Sequence, residues 1–536
     1  MSSVHVPSLL LPRLARRVLL GTKERRHISS PCTICRSPTD TSSDDNNSNP
    51  AQAAEGYKSI GSFHSESVEL LATLPEDEYT APTLPFDDCP TLYQPKPPAL
   101  LASDASDAYD YGKDFYIDRT NWTFLNHGAF GGALKVGHWR AESWRRHLET
   151  QPLRYFDRDL LPHLAHSNRL MADLINGKRD ATTLIQNATV GLNAIIGGYT
   201  REYKADGTII YFDVAYGSVK KMAKHYSNQV GGKIVEIPVQ EQCLPLRVDS
   251  EDKAAQTIIG AFESAIDAIQ KEGGSVANTN ALLILDHTTS NTAINIPVEE
   301  LARKAKEYNM LVAIDGAHGM LAQKLNMKEL EEAGVDFYVG NYHKWFSAPR
   351  GAAVLYCPHE HLRDAVLRMP PVISHGVDDG FISRFLWDGC RDYAAQLCLP
   401  IVLDYWRSVG LDAVRSKMRE TTAEAVNVLA QLWHPSMGEG DLVISGITMA
   451  PLSMLSPLAL VRLPEPLCGN GDDTTAVRTS NDAKQVQDFL YTNGVECPIK
   501  CINGKLYVRI SSHIYNRREE YELMGRKVLE FPSFRF

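Results

Sequence analysis

Lys344 lies in a short connection between two strand-like runs. The residue types of this connection are better explained by a catalytic role than by turn formation. The connection, 340–351, reads GNYHKWFSAPRG. Histidine, lysine and tryptophan are poor turn residues between runs so rich in β-formers. A lysine is a Schiff-base nucleophile only when neutral, which requires a partly desolvated site or a neighbouring cation. With His343 and Trp345 beside it, Lys344 is a candidate carbonyl trap. The alternative is an ordinary lysine between two strands.

Asp315 ends another strand-like run upstream and opens the sequence DGAH, 315–318. In a doubly wound sheet, ligands lie beyond the carboxyl ends of the strands. An aspartate there can keep the pyridine nitrogen of pyridoxal phosphate protonated, so that the ring accepts electrons from a substrate Cα. Asp315 and Lys344 together resemble the paired strand ends of fold type I pyridoxal phosphate enzymes.

The motifs DGAH at 315–318 and NYHKW at 341–345, in this order, resemble those of the class V aminotransferase family. The similarity is greatest to its isopenicillin N epimerase-like branch, which also contains cysteine-conjugate C–S lyases, and it covers roughly residues 115–530. It implies an α/β fold of the fold type I class, with a large, mainly parallel sheet covered by helices and a smaller α+β C-terminal domain. It also implies pyridoxal 5'-phosphate as cofactor, a small amino-acid substrate and a homodimer.

The elements that would position these residues are visible in the hydrophobic pattern. Helix-like and strand-like stretches alternate from about 160 to 360, which is typical of a mainly parallel sheet. A chain of 536 residues is also too long for one core. We predict a targeting segment at 1–36, a disordered linker at 37–112, a large cofactor-binding domain at 113–405 and a small C-terminal domain at 406–536.

The resemblance implies which residues bind the cofactor phosphate. Ala188 and Thr189 open a helix directly after a strand-like run, and N–H groups at such an N-terminus attract phosphate. Asn341 takes the position where relatives often use a serine on the phosphate, and His343 matches their phosphate-side histidine.

Three residues are implied to contact the cofactor ring. Tyr216 follows the strand-like run 208–212, where relatives place an aromatic ring over the cofactor, and it could also pass a proton to a leaving group. The alternative for Tyr216 is plain packing. Ser290 falls where many relatives carry an asparagine on the phenolic oxygen, and this departure leaves His318 as the firmer partner of that oxygen.

The segment 385–392 resembles the glycine-threonine segment that reaches the phosphate of a neighbouring subunit's cofactor. Cys390 replaces the threonine, so the hydroxyl contact is lost. Backbone N–H groups of Gly389 and Cys390 would keep the contact.

Substrate binding is predicted first at Arg509. This arginine interrupts an apolar run, and a buried arginine without a partner is costly, whereas a substrate carboxylate would pair with it. The sequence VRISSHIYN around it resembles the family's carboxylate-binding signature; the alternative is an internal acidic partner. Asn126 and His127, in the turn LNHGAFGG, are implied to lie at the substrate end. Arg154 could reach a substrate anion or be a solvated face residue.

Composition limits the partners. A net charge of -10 argues against nucleic acid, and no apolar run is long enough to cross a bilayer. The ten cysteines show neither a disulfide framework nor repeated zinc-like spacing, and Cys32 and Cys35 form a lone CxxC pair. We therefore expect reduced thiols and no metal. The arginine-rich start resembles a mitochondrial presequence; the alternatives are a disordered basic tail and a cytoplasmic protein.

The named residues are compatible with more than one reaction at Cα. With Lys344 as the base, epimerisation, transamination and β-elimination all remain open. Desulfuration would need a nucleophilic thiol, for which Cys497 and Cys501 are the candidates. We favour a C–S β-lyase acting on a cysteine conjugate or cysteine sulfoxide. A non-catalytic binding protein is the rival from another class, but it would be expected to lack Lys344 or Asp315.

Overall fold

The computed structural model describes residues 66–87, 109–271, 281–438, 441–465, 467–469 and 477–532. The predicted targeting segment at 1–36, with its Cys32–Cys35 pair, lies outside the described residues. The strands are β1 Thr123–Phe124, β2 Thr182–Ile185, β3 Thr208–Phe212, β4 Lys233–Ile237, β5 Leu282–Asp286, β6 Leu311–Asp315, β7 Phe337–Asn341, β8 Ala353–Tyr356, β9 Leu458–Arg462, β10 Val495–Glu496, β11 Ile499–Ile502 and β12 Lys505–Ser511.

The α-helices are α1 Glu66–Thr73, α2 His127–Phe130, α3 Lys135–Thr150, α4 Pro152–Arg154, α5 Leu160–Leu174, α6 Ala188–Tyr203, α7 Gly217–Val230, α8 Val239–Cys243, α9 Glu251–Lys271, α10 Val298–Glu307, α11 Met327–Glu332, α12 Glu360–Ala365, α13 Phe381–Leu386, α14 Ala394–Leu397, α15 Leu399–Val409, α16 Leu411–Trp433, α17 Ser480–Thr492 and α18 Arg518–Leu529. Within the described ranges, none of these helices is long and apolar enough to cross a membrane.

The large sheet has the strand order β2-β8-β7-β6-β5-β3-β4. Its neighbours run parallel except β8, which is antiparallel to both β2 and β7. Strands β3, β5 and β7 are buried along their whole length, as expected for strands covered on both faces. The predicted mainly parallel sheet with helices is confirmed. Because β5, β6 and β7 are parallel, their carboxyl ends lie side by side.

The C-terminal part is built on the antiparallel sheet β11-β12-β9. Helices α16, α17 and α18 bury an apolar cluster with it, to which Leu429, Val461, Leu490 and Tyr521 belong. Strand β1 pairs in parallel with β10, so the segment that leads into the LNHGAFGG turn is tied to this part of the chain.

Two short breaks divide neighbouring elements. Helices α14 and α15 follow one another as separate helices, and Pro400 lies in the first turn of α15, where it suits a helix start. Cys497 and Pro498 separate β10 from β11.

The prediction of a disordered linker at 37–112 is wrong for residues 66–87, which we call the N-terminal strap. Helix α1 packs against α5 and α13, and the Glu69 carboxylate accepts hydrogen bonds from the backbone N–H groups of Ile382 and Ser383, at 3.0 and 3.1 Å. Arg169 donates to the carbonyl of Leu74 at 2.6 Å. An eight-residue helix shows too few turns for a periodic signal, so these tertiary contacts are what order it.

Candidate active site

A cavity of about 340 Å³ lies where β5, β6 and β7 end, within the usual size of a small-molecule site. Its walls include the last residues of these strands. The structure brings together here the predicted residues Ala188, Thr189, Tyr216, Ser290, Asp315, His318, Asn341, His343 and Lys344.

Lys344 lies in the tight connection between β7 and β8, and its side chain enters the cavity. Burial lowers the pKa of Lys344 to about 8, and Arg509 acts in the same direction, while Asp315 and Asp286 oppose the shift. The amine is therefore partly neutral near physiological pH, as a carbonyl-trapping lysine must be.

His318 is held beside this amine in one tautomer. Its Nε2 lies 3.1 Å from Lys344 Nζ, and its Nδ1 accepts a hydrogen bond from the indole N–H of Trp345 at 3.3 Å. Burial keeps the pKa of His318 well below its usual value, so the ring is neutral. Because an indole can only donate, the single ring proton lies on Nε2, which faces the cavity as a donor.

Two carboxyl groups end neighbouring strands. Asp286 on β5 is in register with Asp315 on β6, and both are buried and line the cavity. Burial raises the pKa of both, but at Asp315 the N–H of Ala317 and the charge of Lys344 oppose the rise. At Asp286 a backbone hydrogen bond from Tyr216 and the charge of Lys344 also oppose the rise, but repulsion by Asp315 adds to it and the pKa lies well above its usual value. Asp286 therefore holds the proton of the pair, and Asp315 is the more readily ionised partner.

The N-terminus of α6 lies at the other end of the cavity. The N-cap Asn187 accepts a hydrogen bond from Val190 N–H at 3.0 Å, and Asn341 accepts from Ala188 N–H at 2.8 Å, which fixes the N-terminus of α6. Nδ1 of His343 lies 2.9 Å from the carbonyl of Ala352. The buried Ser218 hydroxyl, also in the cavity wall, has no hydrogen-bond partner among the described residues.

Arg509 is buried on β12 beside the cavity. It donates to the carbonyl of Ser290 at 2.6 Å and to Oδ1 of Asn126 at 3.1 Å. Its Nε has no hydrogen-bond partner among the described residues, and no carboxylate is among the charged groups that act on it. The alternative of an internal acidic partner therefore has no support, and the guanidinium remains able to bind an added carboxylate.

The glycines of the DGAHG sequence are required by packing. A Cβ atom at Gly316 or Gly319 would overlap the phenol of Tyr338, which is buried on β7. The Tyr338 hydroxyl is also 3.1 Å from Nδ1 of His287. These contacts fix the backbone between Asp315 and His318.

Several predicted residues lie outside the cavity. His127 was predicted to contact substrate, but its ring is buried, with Nδ1 bonded to Tyr515 at 2.8 Å and Nε2 to the carbonyl of Lys344 at 3.2 Å. Both ring nitrogens are thus used inside the protein, so His127 supports the lysine backbone. Asn126 likewise positions Arg509 instead of facing the cavity.

Arg154 is half-exposed and pairs with Asp159 at 3.3 Å, which agrees with the solvated alternative. Gly389 and Cys390 do not line this chain's own cavity; Cys390 is exposed, and the Gly389 carbonyl accepts from Tyr393. Their predicted contact with a neighbouring subunit's cofactor stays a prediction.

Sequence reasoning missed Asp286, Ser218, Phe130 and Arg350, which all line the cavity. A signal was present for Asp286, since it ends a buried strand as Asp315 does. Ser218 follows the strand-to-helix turn that contains Tyr216, so the same turn could have indicated it. Phe130 and Arg350 have no comparable signal.

The candidate thiols for desulfuration are engaged elsewhere. Cys497 is buried and donates to the carbonyl of Arg509 at 3.4 Å, and burial raises its pKa. Cys501 donates to the carbonyl of Arg478 at 3.2 Å, and burial raises its pKa as well. Neither thiol is activated as a nucleophile.

Comparison with known proteins gives a consistent set of similarities. The family model "Aminotransferase class-V" matches residues 265–440. An "L-cysteine desulfhydrase" of Arabidopsis thaliana is 28% identical over 446 residues, which cover 78% of this chain and 90% of the relative. The "Putative L-cysteine desulfhydrase 1" of Oryza sativa subsp. japonica is 30% identical, covering 74% of this chain and 80% of the relative.

A more distant relative is an "Isopenicillin N epimerase" of Amycolatopsis lactamdurans, 22% identical over 73% of this chain and 90% of its own length. Among solved structures, a C-DES mutant with glycine covalently linked to its PLP cofactor superposes with a TM-score of 0.60. It covers 78% of this chain and 98% of its own, at 18% identity, and so supports the fold.

Proposed function

Because the chain belongs to the class V aminotransferase family, we propose that it is a carbon–sulfur β-lyase that releases the sulfur substituent of L-cysteine or of an S-substituted L-cysteine. The chain is a pyridoxal 5'-phosphate-dependent enzyme. One observation carries the choice of reaction. The cavity combines the buried amine of Lys344 with the phenol of Tyr216, while the thiols of Cys497 and Cys501 are bonded elsewhere.

The residues present fit this cofactor. Lys344 offers a partly neutral amine, and Asp315 offers a buried carboxylate for the ring nitrogen. The N-terminus of α6 and the unpartnered Ser218 hydroxyl would hold the phosphate. His318 would donate its Nε2 proton to the phenolic oxygen. Each polar group of pyridoxal phosphate thus has a complementary group in the cavity wall.

When bound, pyridoxal phosphate acts as an electron sink that makes Cα of an attached amino acid acidic. Arg509 holds the substrate carboxylate and so limits how the amino acid can turn in the cavity. The neutral amine of Lys344 accepts the Cα proton. Tyr216, which is about half exposed, donates a proton to the departing sulfur as the Cβ–S bond breaks. Hydrolysis of the remaining fragment gives pyruvate and ammonia.

Desulfuration is less well supported than elimination. A desulfurase transfers sulfur to a thiolate, and neither candidate thiol is free to attack. Epimerisation needs a proton donor on the face of Cα opposite Lys344, and Tyr216 could serve there too. A non-catalytic protein has no need of both Asp315 and a buried amine at Lys344. Elimination therefore comes first and epimerisation second.

We also propose that the enzyme is a homodimer. Gly389 and Cys390 lie on an exposed segment away from this chain's own cavity, which suits a contact with a second copy. Sedimentation equilibrium should give twice the mass of the chain; a monomer that retains activity would contradict the proposal.

The test is proton NMR of the holoenzyme in deuterated buffer with L-cysteine, S-methyl-L-cysteine and its sulfoxide. We expect loss of the Cα proton together with pyruvate and ammonia. Exchange at Cα without pyruvate would refute the lyase and favour epimerisation or transamination.

Matched variants separate the lyase from a desulfurase. Cys497→Ser and Cys501→Ser should retain pyruvate formation within about twofold, because neither thiol takes part. A desulfurase would instead form alanine in place of pyruvate. One of the two substitutions would then abolish sulfur transfer.

A further inference from the structure

A second cavity, of about 590 Å³, adjoins the active site. We call it the substituent chamber and define it by Tyr116, Asp118, Trp122, Tyr491, Glu496 and Arg350. None of these residues except Arg350 lines the active-site cavity. The reaction described above makes no use of this chamber.

The two cavities share one wall residue, Arg350. Its Nη2 donates to the carbonyl of Gly131 at 2.9 Å. On one side of this bond the turn presents Ala129 and Phe130 to the active site, and on the other it presents Gly131 and the next residues to the chamber. Any group that extends from the active site into the chamber has to pass beside the Arg350 side chain.

The walls of the chamber carry aromatic rings and two carboxylates, Asp118 and Glu496, against one guanidinium, that of Arg350. The rings of Trp122 and Tyr491 are in contact, with 4.8 Å between their centroids. Asp118 accepts hydrogen bonds from the side chain and backbone of Asn121, which lower its pKa, so its carboxylate is charged at neutral pH. Aromatic faces beside carboxylates attract organic cations. The chamber suits an apolar group that ends in a positive charge.

A hydrogen-bond chain places this chamber relative to the substrate. Glu496 in the chamber wall accepts from Nδ2 of Asn126 at 3.2 Å, and Oδ1 of Asn126 accepts from Arg509 at 3.1 Å. The residue that would hold the substrate carboxylate is thus two hydrogen bonds from the chamber. The chamber therefore lies on the Asn126 side of Arg509.

We propose that the substituent chamber binds the S-substituent of a cysteine conjugate and selects substituents with an apolar body and a cationic end. This inference rests on the proposed function, because it concerns the sulfur side chain of the same substrate. It narrows the substrate class from S-substituted cysteines in general to cationic ones.

The test compares two substrates of nearly equal length and opposite charge, S-(2-aminoethyl)-L-cysteine and S-carboxymethyl-L-cysteine. For each we would measure kcat/KM for pyruvate formation and, independently of turnover, Kd from the change in cofactor absorption. The wild-type enzyme should prefer the cationic conjugate at least tenfold. Trp122→Leu and Asp118→Asn should each lower this preference roughly threefold to thirtyfold, the range for a cation against an aromatic or acidic wall.

A matched control is Asp412→Asn, which removes one exposed carboxylate outside both cavities and should leave the preference unchanged. The chamber proposal would be overturned if the ratio of the cationic to the anionic conjugate were the same in the wild type and in the chamber variants, by kcat/KM and by Kd. This holds even if L-cysteine is converted to pyruvate. Absence of pyruvate from every substrate would instead refute the proposed function, and the Kd ratio would still decide whether the chamber selects cations.

Discussion

Replacing Arg509 by alanine should weaken binding of amino acids far more than binding of amines. In the structure this guanidinium is buried, bonds to Ser290 and Asn126, and retains an unpartnered Nε. Losing one partner of a buried charge pair costs about 2 to 5 kcal/mol. At 1.4 kcal/mol per factor of ten, we expect Kd for an amino acid to rise roughly thirtyfold to several thousandfold.

The assay is a thermodynamic cycle with two ligands that carry no leaving group. L-Alanine has a carboxylate and ethylamine does not, and binding of each to the holoenzyme is followed by the visible absorption of the cofactor. Arg509→Ala should raise Kd for L-alanine by the factor above and Kd for ethylamine by less than about threefold. Arg509→Lys keeps the charge but loses the forked geometry, so it should give an intermediate value.

The cycle also separates carboxylate binding from a structural role. If Arg509 only holds Ser290 and Asn126 in place, its removal will weaken both ligands by the same factor. Equal effects on L-alanine and ethylamine would therefore refute carboxylate recognition by this residue.

Three further predictions follow from the site and the strap. In the apoprotein, Lys344 should capture pyridoxal phosphate at a rate that rises with pH and is half-maximal near pH 8, because burial lowers its pKa to about 8 and only the neutral amine reacts. Stopped-flow absorption measures this rate. A midpoint near pH 10 would contradict the lowered pKa. Trp345→Phe removes the donor to His318 Nδ1 and should lower kcat about tenfold with little change in KM. A normal kcat together with an unchanged nitrogen-15 NMR signal of His318 would show that the indole does not set the tautomer. Arg169→Met leaves the half-buried carbonyl of Leu74 without its donor, at a cost of about 0.5 to 1.5 kcal/mol. Amide hydrogen exchange should then become faster in the N-terminal strap but not in the large sheet. An equal increase in both would argue against a local contact.

The central residues were predictable because their signals are local. Asp315 and Lys344 each stand at the end of a strand-like run, and a parallel sheet brings such ends together. Arg509 was identified because a charged residue in an apolar strand requires an explanation. In each case the side chain's position follows from the element that carries it.

The errors arise where distant contacts decide. His127 looks like a ligand in a glycine-rich turn, but its ring stacks on His513 at a centroid distance of 4.1 Å. No local pattern reveals that contact. The N-terminal strap was missed for the same reason, since Arg169 and α13 hold a helix too short to be recognised alone. Asp286 differs, because the rule applied to Asp315 would also have found it.

The packing of Tyr338 has a consequence for how this motif changes during evolution. Since its phenol occupies the space where side chains at Gly316 and Gly319 would lie, these three positions cannot vary independently. A descendant sequence that replaces Gly316 must first lose the tyrosine ring, and one that replaces Gly319 must first lose its hydroxyl; either change removes the partner of His287. Alignments of close homologues should therefore show these four positions substituted as a group, and the glycines would serve as markers of a tyrosine on the neighbouring strand.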